Sequence, residues 1–242
     1  GMNENMRIAN VLWSPDETKV AFTNTVATGV ELWIADFETE QARKITDAVL
    51  NANIGNPLNW FRDSKSLLVR MLPANRTLLI DVKKALPAGP IISMSDGSKS
   101  QNRTYQDMLK NPTDEANFVT LTTAELYKVQ LDGAKKLFAT ADLYANEIIS
   151  PDGNYVLVTT LHKPFSYIVP LNRFPQKNAV YNAEGTKVKT ICETPLSEVL
   201  PKGFMAVRKG MRSISWRADK PATLYWVEAL DGGDPQQKAD FR

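Results

Sequence analysis

The sequence predicts an all-β chain, a β-propeller fragment of about three and a half four-stranded antiparallel blades. Three observations predict it. One strand-turn-strand pattern is written four times, each turn is followed by β-forming residues, and the spacing of the first two copies fits one blade.

The copies are "VLWSPDETKVAF" (11–22), "NWFRDSKSLLVR" (59–70), "IISPDGNYVLVT" (148–159) and "ISWRADKPATLYW" (214–226). In Ser14-Pro15-Asp16-Glu17 the proline fixes φ near the value needed at the second position of a type I turn, and the Asp carboxylate can accept local backbone N–H groups. Ser150-Pro151-Asp152-Gly153 repeats this, with Gly153 free to take positive φ. Phe61-Arg62-Asp63-Ser64 and Arg217-Ala218-Asp219-Lys220 lose the proline and keep the Asp. A hairpin alone is marginal in water, so such units must stack. The interval from Asp16 to Asp63 fits a blade repeat of roughly 40 to 45 residues.

Taken in order, the first hairpin is followed by a third strand in "VELWIAD" (30–36) and a fourth in "ARKIT" (42–46). The same tail recurs as "ELYKVQLDG" (125–133) and "KKLFAT" (135–140), joined through Asp132-Gly133, a two-residue hairpin signal. The expected blades are therefore 8–46, 56–139, 144–193 and an incomplete 212–242, so that the chain stops inside a blade. The second contains an insertion, 83–116, read as an exposed loop in which only "TYQDMLK" (104–110) has helical character. Residues 162–185, rich in aromatics and proline, are expected to carry the outer strands of the third blade on proline-bounded segments. Residues 192–210 are a connection, with "PLSEVL" (195–200) as one helical turn.

Composition bounds the function. The chain has 242 residues, 29 basic against 27 acidic side chains, a net charge of +2 and 43% hydrophobic residues. Nothing there points to nucleic acid or an anionic membrane as partner. No apolar run reaches the length that spans a bilayer, and no signal-peptide hydrophobic region is present at the N-terminus. A lone Cys192 makes no internal disulfide and leaves the compartment open.

Three long, non-repetitive stretches carry a resemblance: "NRTYQDMLKNPTDEANF" (102–118), "HKPFSYIVPLNRFP" (162–175) and "RSISWRADKPATLYWVEALDGGDP" (212–235). They resemble the N-terminal propeller of glutamyl endopeptidase-like members of the prolyl oligopeptidase family of serine peptidases, and the resemblance runs from about residue 8 onward. It implies a two-domain enzyme in which the propeller caps an α/β-hydrolase domain carrying Ser, Asp and His. That catalytic domain is expected to be absent from this chain. The family also suggests an exported bacterial protein, in the periplasm, with the cytoplasm as the alternative.

The residues themselves argue against catalysis. A serine nucleophile on an α/β-hydrolase scaffold needs a Gly-x-Ser-x-Gly elbow, and none occurs; the one histidine is His162. With one His and one Cys, no zinc site of the usual composition can be built, and no cofactor or metal is expected. A Cys192–His162 pair is the one nucleophilic arrangement left, and a buried small hydrophobe is the commoner use of Cys. "DGGDP" (231–235) reads as turns in preference to a calcium loop. Trp13, Trp33, Trp60, Trp216 and Trp226 read as packing between blades in preference to a stacking platform. Lys83, Lys84, Lys99 and Arg103 read as a solvated surface.

Two functions of different class fit. One is the non-catalytic propeller portion of a serine peptidase, gating peptide access to a catalytic domain. The other is a stand-alone, TolB-like propeller that binds proteins. For the first, the resemblance to a glutamate-preferring enzyme nominates Arg103, His162, Lys163 and Arg173 as contacts to an acidic peptide substrate. An unfinished ring also leaves the first and last blades open, with Trp13, Phe22, Trp216, Leu224 and Trp226 expected on exposed faces. A homodimer closing those faces is the expected consequence.

Overall fold

A computed structural model describes residues 4–81 and 105–240. The centre of the insertion, with Lys83, Lys84, Lys99 and Arg103, lies outside the described residues.

The first blade is a four-stranded antiparallel sheet of β1 (Ile8–Trp13), β2 (Lys19–Val26), β3 (Gly29–Asp36) and β4 (Gln41–Lys44), paired in chain order. Then come β5 (Leu58–Trp60), β6 (Ser66–Met71), β7 (Ala124–Gln130), β8 (Lys135–Ile149), β9 (Tyr155–Leu161), β10 (Gln176–Asn182) and β11 (Lys187–Thr194). They form one seven-stranded ladder because β8 serves two blades. Its residues 135–142 pair with β7, and residues 143–149 pair with β9 as the inner strand of the next blade. The last hairpin is β12 (Arg212–Trp216) with β13 (Leu224–Val227). Four inner strands thus head three complete blades and a two-stranded fourth, which is a partial propeller.

All four repeated turns close with the same backbone bond. Glu17 N–H donates to Ser14 O (2.9 Å), Ser64 to Phe61 (3.2 Å), Gly153 to Ser150 (2.9 Å) and Lys220 to Arg217 (3.4 Å). The Asp does what its place requires. Asp16 accepts from the Ser14 hydroxyl at 2.6 Å and from Thr18 N–H, Asp63 from Lys65 and Ser66 N–H, and Asp152 from the Ser150 hydroxyl and Asn154 N–H. Asp219 is instead gripped by the Arg217 guanidinium through two bonds. Three of the turns end in positive φ, at Glu17 (59°), Ser64 (53°) and Gly153 (77°), and only the third uses glycine for it.

Blades stack through alternate faces of their strands. Every residue of β6 is buried because both faces are covered. Leu67, Val69 and Met71 pack with Leu32 and Ile34 of the first blade, while Leu68 packs with Leu126, Val156 and Val158 toward the third. Each such fully buried aliphatic side chain contributes roughly 1.5–3 kcal/mol. The seams also carry a repeated polar bond. Trp60 Nε1 donates to Leu12 O (3.0 Å), and Trp216 Nε1 donates to Ile148 O (2.9 Å). In each case the Trp three residues before the turn Asp bonds the carbonyl four residues before the Asp of the preceding blade.

Several expectations are corrected. The insertion's helix is α1 (Pro112–Thr122), and residues 105–110 are irregular. The start is set by Asn111, whose side chain accepts from Asp114 N–H at 2.9 Å, with proline opening the helix. Residues 195–200 make no helical turn; the Ser197 N–H donates instead to Arg173 O in the connection of the third blade. Of residues 162–185 only β10 is strand; the preceding part is a connection with one 3-10 turn at Leu171–Arg173, and β11 lies beyond it. At Asp132-Gly133 a Gln130 N–H to Ala134 O bond leaves residues 131–133 as the loop, so the hairpin has one residue more than the dipeptide predicts. Phe22 is buried against Trp33 within the first blade, and Trp216 is buried because it covers the third. Only Trp60 and Trp216 of the five tryptophans serve blade packing; Trp13 and Trp226 are 54% and 44% exposed.

Candidate functional site

The alternation of strands gives the arc two unlike ends. The Asp turns join first to second strands at one end and are short. Second-to-third connections and links between blades fall at the other, and three of them are long: the insertion ending in α1, residues 162–175, and residues 195–211. Long connections on a rigid scaffold are where binding groups concentrate.

These connections are packed together. Phe118 of α1 meets Phe165 edge-on with centroids 5.2 Å apart and Phe174 at 6.0 Å. Leu143, Leu161 and Val169 complete a small apolar core below them. Around it runs a polar clamp. Lys163 Nζ lies 2.7 Å from Glu115 Oε1, and the Tyr167 hydroxyl donates to Glu115 Oε2 at 3.0 Å. The Lys163 bond, against an upward push from burial, holds the Glu115 carboxyl below its ordinary pKa. Asn51 Nδ2 donates to the carbonyls of Leu121 and Thr123, tying the end of α1 to the first interblade link. Ser166 donates to Glu198 at 2.6 Å, tying the third blade's connection to the next link.

The nominated residues are thereby separated. Lys163 is engaged by Glu115. His162 Nδ1 lies 3.1 Å from Lys163 O, and its Nε2 is buried with no hydrogen-bond partner. Arg173 sits in a different cleft, over the Tyr105 ring at 5.7 Å. Arg103 is outside the described residues. Cys192 and His162 do not form a pair. Cys192 lies opposite Asn178 in the ladder, Asn178 lies opposite Thr159, and the Cys192 sulfur takes the Asn178 amide at 3.6 Å. Asp231 and Asp234 accept backbone N–H groups from Gly233 and Gln236, as turn residues do, and the described residues contain no cluster able to hold a metal ion.

What the sequence reading passed over is the second cleft. It has a volume of about 210 Å³ and lies between the third blade and residues 197–212. Arg173, Arg208 and Arg212 all line it. Burial pulls the Arg208 pKa down, Arg212 adds to this, and Cys192 opposes it. Arg212 Nε is buried and unpartnered, and no carboxylate among the described residues lies within salt-bridge distance of any of the three. The Gly232-Gly233 turn backs the cleft's wall: Val207 N–H donates to Gly233 O at 3.0 Å. The signal in the sequence was charge, since residues 199–218 hold five cations and no acid.

A probable chloroplastic glutamyl endopeptidase of Oryza sativa is 38% identical over 252 aligned positions, covering 100% of this chain and 26% of that protein. The chain is similar from end to end to a stretch of glutamyl endopeptidase. The Arabidopsis thaliana counterpart gives the same identity and the same coverage. The chain thus spans about a quarter of the length of these glutamyl endopeptidases. No family model matches. Among solved structures, a putative TolB from Agrobacterium tumefaciens has a TM-score of 0.49 at 10% identity, covering 94% of this chain and 61% of that one. The β-propeller domain of the trilobed protease from Pyrococcus furiosus has a TM-score of 0.46 at 14% identity, covering 96% and 59%.

Proposed function

We propose that this chain is the non-catalytic propeller part of a serine peptidase, with its long-connection end shaping peptide access to an α/β-hydrolase domain. The observation that carries this reading is the end-to-end similarity to glutamyl endopeptidase, which falls on a partial propeller whose two ends differ in kind. On this reading the partners are that catalytic domain and an acidic peptide. A second copy of the chain, meeting the exposed Trp13 and Trp226 faces, is a further proposed partner.

The test uses the full-length protein. Lys163→Glu breaks the clamp to Glu115 and loosens the connections without touching a catalytic group. The expected result is altered kcat/KM for peptides of ten or more residues, with hydrolysis of a small activated ester unchanged. Equal effects on both substrates, or on neither, would overturn the access role and favour a separate binding module.

A further inference from the structure

We propose that a cleft at the seam of the second and third blades, lined by Lys128, Lys135 and Lys136, binds a phosphate monoester of small-molecule size. The cleft lies at the Asp-turn end of the arc, away from the long connections, and the inference does not depend on the peptidase reading.

The charge pattern carries it. Lys128 on β7 and Lys136 on β8 stand directly opposite each other in the ladder, and like charges so placed destabilise a sheet. The other two complete blades set opposite charges across the corresponding strands. Lys44 Nζ lies 3.7 Å from Glu31 Oε1 between β4 and β3, and Lys177, directly opposite Glu193 between β10 and β11, bonds it at 2.6 Å. In the second blade, no carboxylate among the described residues forms a salt bridge with Lys128, Lys135 or Lys136. An edge strand uses lysine to repel other strands, and Lys136 alone serves that end. Lys128 is not on the edge: it is half-buried on the third strand, with its ammonium 4.2 Å from the centre of the Phe61 ring. Lys135 rests over the Tyr127 ring at 5.5 Å, again with no opposite charge to hold it. An anion between Lys128 and Lys136 supplies what the glutamates supply in the neighbouring blades.

Size and lining select the ligand. Three cations and one anion, Glu184 on the facing turn, leave the cleft a formal charge of +2, which a phosphate monoester of about −2 at neutral pH balances. Ammonium groups act on phosphate as point charges, whereas a planar carboxylate is better matched by a guanidinium fork, which this cleft lacks. The volume of about 300 Å³ sits at the lower edge of small-molecule clefts, and Leu137 with Phe138 supplies apolar wall for the carbon part of an ester. The walls are already in place. The β10–β11 turn presses so closely on β8 that a Cβ on Gly185 would stand 2.2 Å from Phe138 O. On the other side Leu131 N–H donates to Lys65 O at 3.3 Å, fixing the β7–β8 turn against the Asp63 turn.

The test is titration calorimetry of the full 242-residue chain at low salt with phenyl phosphate, phenyl sulfate and inorganic phosphate. Phenyl phosphate should bind saturably and about tenfold more tightly than phenyl sulfate, which has the same ring and one charge fewer. Lys136→Glu copies the ion pair of the third blade; it should abolish binding and raise the melting temperature of the ligand-free chain, which separates loss of the site from loss of the fold. Lys128→Met, which keeps the stem over Phe61, should weaken binding about tenfold. Lys202→Glu, an equal change of charge on the link 195–211, should leave binding unchanged. No saturable binding at millimolar concentration, equal affinity for phenyl phosphate and phenyl sulfate, inorganic phosphate binding as tightly as the ester, or equal losses in Lys136→Glu and Lys202→Glu would overturn the inference. None of these outcomes involves peptidase activity, so failure here is distinguishable from failure of the proposed function.

Discussion

Arg70 and Glu147 form a forked ion pair across the seam between the second and third blades. Arg70 Nε lies 3.0 and 2.9 Å from the two carboxylate oxygens and a terminal nitrogen lies 2.8 Å from Oε2, with both side chains almost wholly buried. The other terminal nitrogen donates to Ile54 O in the link from the first blade, so one guanidinium ties the second and third blades to that link. Burial pushes the Glu147 carboxyl pKa up, and Arg70 opposes it. Removing one partner leaves a buried charge, whereas replacing both with apolar residues does not. Glu147→Ala is expected to lower stability by about 3–5 kcal/mol in urea denaturation. Arg70→Met with Glu147→Leu should recover most of the loss.

The seam tryptophans give a graded series. Phenylalanine in place of Trp60 or Trp216 keeps the ring and strips the N–H, orphaning Leu12 O or Ile148 O. Each change should cost about 1–3 kcal/mol. Trp13→Phe should cost much less, because Trp13 is exposed and makes only a stack on Phe37 at 5.1 Å. Equal losses at all three positions would show that ring volume, and not the bond, matters.

Acid should act on the repeated turns. The Ser14 hydroxyl and Thr18 N–H hold the Asp16 carboxyl at about 2, below the ordinary aspartate range. Burial works upward on Asp152, and the Ser150 and Asn154 bonds outweigh it, so it too is lowered. A depressed folded pKa gives stability that is present above the unfolded value and lost as pH falls through the folded one. Between pH 4 and pH 2 the chain should therefore lose stability, and Asp16→Asn with Asp152→Asn should flatten that slope. Urea midpoints measured across this window check the sign.

Gly153 is the one repeated turn where glycine is needed twice over. Its φ is +77°, and an added Cβ would stand 3.0 Å from Arg62 Cβ in the turn of the preceding blade. Gly153→Ala should lower stability by about 1–2 kcal/mol from the left-handed backbone alone. Calorimetric melts give the shift.

The open faces should associate. Phe37 beside Trp13, and Tyr225 and Val227 beside Trp226, extend the two exposed patches. Sedimentation equilibrium at micromolar concentration is expected to show a mass rising above 27.0 kDa with concentration. A single species at that mass throughout would remove the dimer proposal.

The sequence by itself determined the blades. A turn Asp that bonds its own backbone, followed by residues alternating toward two covered faces, is a local pattern, and local patterns are written in consecutive residues. It also carried the resemblance, since stretches such as 162–175 and 212–235 are long enough to be specific. It misplaced α1 because the decisive group, the Asn111 side chain, is one cap residue at the edge of an insertion. Tertiary structure alone decided the site. Whether a cation is engaged depends on partners far away in the chain: Lys163 is claimed by Glu115, 48 residues distant, while Arg173, Arg208 and Arg212 line one cleft and form no salt bridge with any carboxylate among the described residues. Charge interactions are set by distance in space and by burial, and neither is legible until the blades have stacked.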